Sequence, residues 1–304
     1  MSSATVRDVR GLIPVLATPF AADGSLDVPS LRRVVEFEIA AGVDGVATFG
    51  MASEAFALST SERSVVLRTI RAATPHGMPV VAGVSATSDV TAVEQAQAAV
   101  TDGASALMVL PPSMVKPSAA QIVDFYAAVA HAAAVPIMVQ DAPGATGVPL
   151  SASLLSQLSA IDGVELVKVE APPTAPKVGA VIAAAGSALR VLSGHNALFL
   201  IEEYDRGAVG TMPACEFSDR LRPVLDAFNT GAVAEARRLF TALLPLIRFG
   251  LQSGIAWAVH KHVLVQRGII DTAVVRAPAA PLDRMSRKHL DWILDDLQLP
   301  RYTG

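Results

Sequence analysis

Short apolar runs rich in β-branched residues recur along the chain, and longer amphipathic stretches separate most of them. The runs are LIPVLATP (12–19), DGVATF (44–49), MPVVAGV (78–84), SALMVLP (105–111), VPIMVQD (135–141), VELVKVE (164–170), LRVLSG (189–194) and GAVGTM (207–212). The stretches between them, such as SLRRVVEFEIAAG (30–42), SERSVVLRTIRAAT (61–74) and TAVEQAQAAVTDG (91–103), carry the spacing of helices. Apolar strands alternating with amphipathic helices predict a parallel sheet built from βαβ units, because a parallel strand is covered on both faces. Eight such strands within roughly 210 residues suit a closed barrel better than an open sheet, so the predicted class is α/β, a (β/α)8 TIM barrel. Gly42, Gly77 and Gly103 read as helix C-caps, and Thr60 or Ser61 as a helix start.

Beyond about residue 218 the strand pattern stops. DRLRPVLDAFNTG, AVAEARRLFTALLPLIRFG, SGIAWAVHKHVLVQRG and SRKHLDWILDDLQL read as helices, with the Pro-rich loop RAPAAPLD (276–283) before the last. The expected organisation is a barrel over residues 8–218 and a C-terminal helical extension over 219–304.

Composition narrows the function. Hydrophobic residues make up 52% of the 304 positions, charged residues 17%, and the net charge is −4. With no basic block, a nucleic-acid or membrane-surface partner is not expected. Gly, Pro or charge interrupts every apolar stretch before a membrane span is reached. The opening MSSATVRDVRGL lacks the apolar core of a signal peptide, and the one cysteine, Cys215, excludes an intramolecular disulfide; both fit a cytoplasmic setting. No His, Cys or carboxylate cluster has metal-ligand spacing, and GAVG (207–210) is not a dinucleotide fingerprint, so no metal or cofactor is expected.

One residue breaks the apolar pattern. Lys168 sits inside VELVKVE with Glu170 two positions on. Strand side chains alternate, so Lys168 and Glu170 share one face while Val167 and Val169 share the other. The helix-facing side of a barrel strand must be apolar, which turns Lys168 and Glu170 into the interior near the C-terminal mouth. Two readings stand at this point: a structural ion pair, or a lysine kept partly neutral that attacks a ketone to form a Schiff base. Of the five lysines, only Lys168 lies within an apolar strand. Other polar residues gather at strand ends: Ser53 and Glu54 after the second, Ser113 after the fourth, Gln140 and Asp141 on the fifth, His195 and Asn196 after the seventh. Each also has a plainer reading, as a helix cap, a turn brace or a loop residue.

These motifs, in order, resemble the dihydrodipicolinate synthase/N-acetylneuraminate lyase family. The resemblance runs from about Gly11 to the C-terminal helices, through TPF (18–20), DG (23–24), GMASE (50–54), LST (58–60), PIMVQDAPGATG and VKVE. It implies a (β/α)8 barrel with a helical extension, a homotetramer, and a Schiff-base lysine at Lys168. Several positions depart from the family pattern. Gly-Thr-Thr-Gly-Glu is Gly50-Met51-Ala52-Ser53-Glu54 here, a strand-five tyrosine is Gln140, a relay tyrosine is Ser113, and a carboxylate-binding arginine falls at Ala145. True synthase activity is therefore not expected. PIMVQDAP, the Lys-Val-Glu spacing and LPLI…QSGI (244–255) look closest to the L-2-keto-3-deoxyarabonate dehydratase-like branch. That resemblance implies dehydration of a 2-keto-3-deoxy sugar acid to a keto-acid semialdehyde, with Lys168, Glu170 and Gln140 catalytic. Met51, Ala52, Ser53, Ser113, Asp141, His195 and Asn196 are the expected substrate contacts. The alternatives are a pyruvate-dependent aldolase using the same imine, and an inactive barrel that binds a sugar acid.

Overall fold

The computed structural model describes residues 9–303. Most of the N-terminal stretch read above, up to Asp8, lies outside them, as do the first residue expected for the barrel and Gly304. Among the described residues, eight parallel strands form one sheet: β1 (Gly11–Leu12), β2 (Val46–Thr48), β3 (Val80–Val84), β4 (Ala106–Val109), β5 (Ile137–Asp141), β6 (Val164–Val169), β7 (Arg190–Ser193) and β8 (Gly210–Thr211). They pair in the order β1-β8-β7-β6-β5-β4-β3-β2. A bridge from Val15 to Ala47 joins the first segment to β2 and closes the barrel.

The first strand is shorter than its apolar run. Regular pairing ends at Leu12, and contact resumes through the bridge at Val15. Pro14 lies between, and its nitrogen has no hydrogen to donate to a ladder. Its carbonyl still accepts from Ala47 N–H at 2.8 Å.

Helices α1 (Val28–Ala40), α2 (Thr60–Ala73), α3 (Asp89–Thr101), α4 (Ala119–Ala133), the single turn α5 (Pro143–Thr146), α6 (Ala152–Leu158), α7 (Thr174–Ala185) and α8 (Leu200–Tyr204) follow the strands. After β8 come α9 (Ser218–Asn229), α10 (Val233–Phe249), α11 (Ala256–Gln266) and α12 (Arg284–Leu297). Helix α2 starts at Thr60, the earlier of the two expected residues. Ser59 is its N-cap, accepting from Glu62 N–H at 3.2 Å, while Glu62 accepts from Ser59 N–H at 2.9 Å. This reciprocal pair satisfies two amide groups that a helix start otherwise leaves unpaired. Gly42 and Gly103 follow α1 and α3 with positive φ, as expected of caps. Gly77 lies three residues beyond the cap of α2, in the turn that leads to β3.

The apolar side chains divide into two layers. Val167 and Val169 join the large cluster between strands and helices. Leu166, Met138, Met108 and Leu192 belong to a smaller cluster that fills the barrel. A register shift between β5 and β6, at Ile137/Met138, leaves the exposed Glu165 out of the pairing and sets the facing of β6 from Leu166 onward. Gln140 then lies beside Lys168, one layer above Met138 and Leu166, and Lys168 pairs in turn with Leu192 of the plug. No helix of the described residues is long and apolar enough to cross a membrane.

Candidate active site

Lys168 and Glu170 emerge on the inner face at the C-terminal end of β6, the position that alternation assigns them. Lys168 is 3% exposed and Glu170 7%. The lysine Nζ lies 3.2 Å from Glu170 Oε1. Gln140 Nε2 donates to Glu170 Oε2 at 2.7 Å, and His195 N–H donates to Glu170 Oε1 at 3.2 Å. Glu170 therefore accepts from three donors, which pin its carboxylate beside the amine.

Glycine makes room for this arrangement. A Cβ on Gly194 would lie 2.2 Å from Glu170 Cγ and 2.9 Å from the Val169 carbonyl. The chain then turns through His195, Asn196 and Ala197, three consecutive residues in the left-handed region with φ of 50°, 54° and 61°. Non-glycine residues hold such angles only where surrounding contacts impose them, and they concentrate at functional sites. Asn196 supplies two of those contacts: its Oδ1 accepts from Ala214 N–H at 2.9 Å, and its Nδ2 donates to the Ile247 carbonyl at 3.3 Å.

A cavity of about 140 Å³ opens above Lys168. Its walls include Lys168, Glu170, His195 and Asn196, the Met51–Ala52 turn, Met212–Ala214 after β8, and Gly250, Trp257 and His260 from the C-terminal helices. The structure thus brings Lys168, Glu170, Gln140, Met51, Ala52, His195 and Asn196 together. A larger cavity of about 570 Å³ lies between α2 and α3 and is lined by Gln140, Met51 and Arg63. Neither Lys168 nor Glu170 reaches it.

Three expected contacts are placed elsewhere. Asp141 pairs in register with Val169, so its side chain points outward, where its Oδ2 meets Lys177 Nζ at 3.1 Å. Burial holds its carboxyl above the usual range, against the opposing pull of Lys177. Ser53 is fully buried and its hydroxyl donates to the Leu16 carbonyl at 2.6 Å. Ser113, in the loop after β4, lines neither cavity.

Glu54 neither caps α2 nor faces the cavity. It is fully buried and forms an ion pair with Lys261 of α11, and its Oε2 accepts from Arg276 N–H at 3.1 Å. Lys261 is as sequestered as Lys168, so burial alone does not single out the strand lysine. Its Nζ donates to the Val274 carbonyl at 2.8 Å and lies 4.1 Å from the Phe20 ring centre. Burial pulls its ammonium down to about 8, opposed by Glu54. What separates the two lysines is that Lys168 opens onto a cavity. Beside this pair, Trp257 Nε1 donates to the Met51 carbonyl and packs edge-on against Phe56, with ring centres 4.9 Å apart. Helix α11 thereby clamps the 51–54 turn over the barrel mouth.

His260 escaped the sequence reading. It is 4% exposed, and its Nδ1 lies 2.7 Å from Glu216 Oε1. The trace available in the sequence is HKH inside the apolar run AWAVHKHVLV, three titratable residues that an ordinary surface helix would keep in water. All three are buried. Among the described residues no group of three or more His, Cys, Asp or Glu side chains is arranged to hold a metal ion.

Comparison with known proteins gives the family. The model of the dihydrodipicolinate synthetase family matches residues 8–297. An L-2-keto-3-deoxyarabonate dehydratase from Azospirillum brasilense is 36% identical over 296 residues, covering 95% of each chain. A 4-hydroxy-tetrahydrodipicolinate synthase from Chlorobium limicola is 30% identical, covering 97% of this chain and 99% of that one. Among solved structures, dihydrodipicolinate synthase from Rhodopseudomonas palustris superposes with a TM-score of 0.89 at 30% identity, covering 95% of this chain and 97% of that one. The Acinetobacter baumannii synthase, solved with pyruvate, gives a TM-score of 0.90 at 28% identity, covering 96% of this chain and 99% of that one. The chain belongs to the dihydrodipicolinate synthetase family.

Proposed function

We propose that this family member is a Schiff-base dehydratase that removes water from a 2-keto-3-deoxy sugar acid of the L-2-keto-3-deoxyarabonate kind. The observation that carries the reading is the row of Lys168, Glu170 and Gln140: an amine and an amide both held to one carboxylate above an apolar plug. The identity with the Azospirillum dehydratase, over nearly the whole of both chains, supports the substrate class.

In this reading the Lys168 amine adds to the C2 ketone and expels water to give a protonated imine, an electron sink. Glu170, beside the imine, takes the proton from C3. The resulting enamine expels the C4 hydroxyl, which takes up a proton and leaves as water; loss of a proton from C5 and gain of one at C3 give the enol of the semialdehyde, and water hydrolyses the imine to free the lysine. Gln140 has no proton to give at ordinary pH, so its part is to orient Glu170. The Met51 and Ala52 amides open a short turn and have no partner within it, which suits them to receive the substrate carboxylate. The cavity of about 140 Å³ matches a short, compact acid.

Product analysis tests the reading. With 2-keto-3-deoxy-L-arabonate, the expected outcome is a single dehydrated semialdehyde. Release of pyruvate and an aldehyde would transfer the chain to the aldolases. No turnover of any 2-keto-3-deoxy pentonate or hexonate would overturn the reading.

A further inference from the structure

We propose that His260 is a second acid–base residue of the Lys168 cavity, serving the C4–C5 end of the substrate; this rests on the dehydratase reading above. Helix α11 carries His260 into the wall that also holds Met212–Ala214 and Gly250, separate from the β6 wall of Lys168 and Glu170. Its ring is held at one nitrogen. Nδ1 meets Glu216 Oε1 at 2.7 Å, and Glu216 is fully buried. Among the described residues no group bonds to Nε2. A carboxylate that accepts from Nδ1–H leaves Nε2 for the ligand, the logic by which a buried carboxylate orients a working imidazole.

The chain also makes room for the ring. A Cβ on Gly250 would lie 2.8 Å from His260 Cε1 and 3.4 Å from Asn196 Nδ2. A glycine there lets imidazole and amide share one wall. A histidine serving only to fill space would need neither a buried carboxylate on one nitrogen nor a cavity beside it.

The reaction chemistry calls for such a group. Turning a 4,5-dihydroxy acid into a terminal semialdehyde moves protons at three carbons, and Glu170 is committed to C3. When the enamine pair expels the C4 hydroxyl, that oxygen needs a proton, which His260 Nε2–H supplies as water leaves. The neutral Nε2 then takes a proton from C5. The freed pair forms the C4–C5 double bond of an enol, and Glu170 returns its proton to C3. The enol becomes the aldehyde, and hydrolysis frees Lys168. Both residues end as they began, and the net change is the loss of one water.

The test compares His260→Gln, His260→Ala, Glu216→Gln and the unaltered protein, each checked for a cooperative thermal transition. The probe is 2-keto-3-deoxy-L-arabonate in D₂O. The expected result is undiminished borohydride trapping on Lys168 and continued deuterium uptake at C3, with semialdehyde formation lowered by about 10²–10⁴ in His260→Gln. Added imidazole should restore part of the loss in His260→Ala. Full-rate turnover by folded His260→Gln would overturn the proposal. So would a parallel fall in trapping, exchange and turnover, which would make the histidine a support for the cavity. If His260→Gln does not fold, Glu216→Gln carries the same readouts. Absence of any adduct in the unaltered protein would instead strike the Schiff-base reading itself.

Discussion

Replacing Lys261 by Met should be among the costliest single substitutions in this protein. The two members of the Lys261–Glu54 pair are 1% and 0% exposed at their side chains. Methionine keeps most of the lysine's volume and removes its charge. Glu54 is then left in the interior with one remaining donor, Arg276 N–H at 3.1 Å. Stranding one member of a buried ion pair costs about 3–5 kcal/mol, because the desolvated charge loses its compensation. In a chain of this length that corresponds to a fall in Tm of roughly 5–8 °C. The double variant Glu54→Gln/Lys261→Met removes both charges and keeps an acceptor for Arg276 N–H. It should be clearly more stable than Lys261→Met alone. Thermal and urea unfolding of the two singles and the double close the cycle. Because Glu54 ends the Met51–Ser53 turn, the single variant should also weaken substrate binding. A cost under about 1 kcal/mol for Lys261→Met, or a double as unstable as the singles combined, would refute the argument that this pair is a coupled, desolvated unit.

Three further outcomes follow from the geometry. Glu170→Gln removes the proton acceptor beside Lys168 and should lower turnover by about 10²–10⁴ while imine trapping survives; turnover at the unaltered rate would contradict its role. Gly194→Ala places a methyl group 2.2 Å from Glu170 Cγ, so the carboxylate must move, and a displacement near 1 Å should cost about 10² in rate; unchanged kinetics would show that Glu170 need not be held there. Burial raises the Glu203 carboxyl from 4.5 to about 7, so between those values the folded protein keeps a proton that the unfolded chain has released. The stability tied to that proton is complete below about pH 4.5 and declines as pH rises to about 7, by roughly 3 kcal/mol at most. Urea unfolding across that range should show the slope, and Glu203→Gln should flatten it; an identical slope in the variant would reject the assignment.

The strand periodicity was legible because each βαβ unit buries its apolar face locally. Period-two alternation was enough to turn Lys168 and Glu170 inward and to place Gln140, two residues after the plug residue Met138, in the same row. The same rule puts Asp141 on the outer face, beside Val169. Ranking Asp141 by its place at a strand end, without counting its facing, made it a substrate contact. Ser53 and Glu54 were legible as a motif and not as partners. Their bonds run to Leu16, 37 residues back, and to Lys261 and Arg276, more than 200 residues on, and no local pattern announces contacts so distant. His260 was hidden for the same reason. Read alone, helix α11 is an apolar run broken by His-Lys-His; only its packing against the barrel mouth, where Ala258–Leu264 is buried throughout, shows what those three residues touch.

The most direct test of the account is borohydride reduction in the presence of 2-keto-3-deoxy-L-arabonate, followed by peptide mass spectrometry. The account predicts one reduced adduct, on Lys168, absent from Lys168→Met and from every other lysine, including the equally buried Lys261. An adduct on another residue, or none with this or any other 2-keto acid, would contradict it and return Lys168 and Glu170 to the status of a structural ion pair.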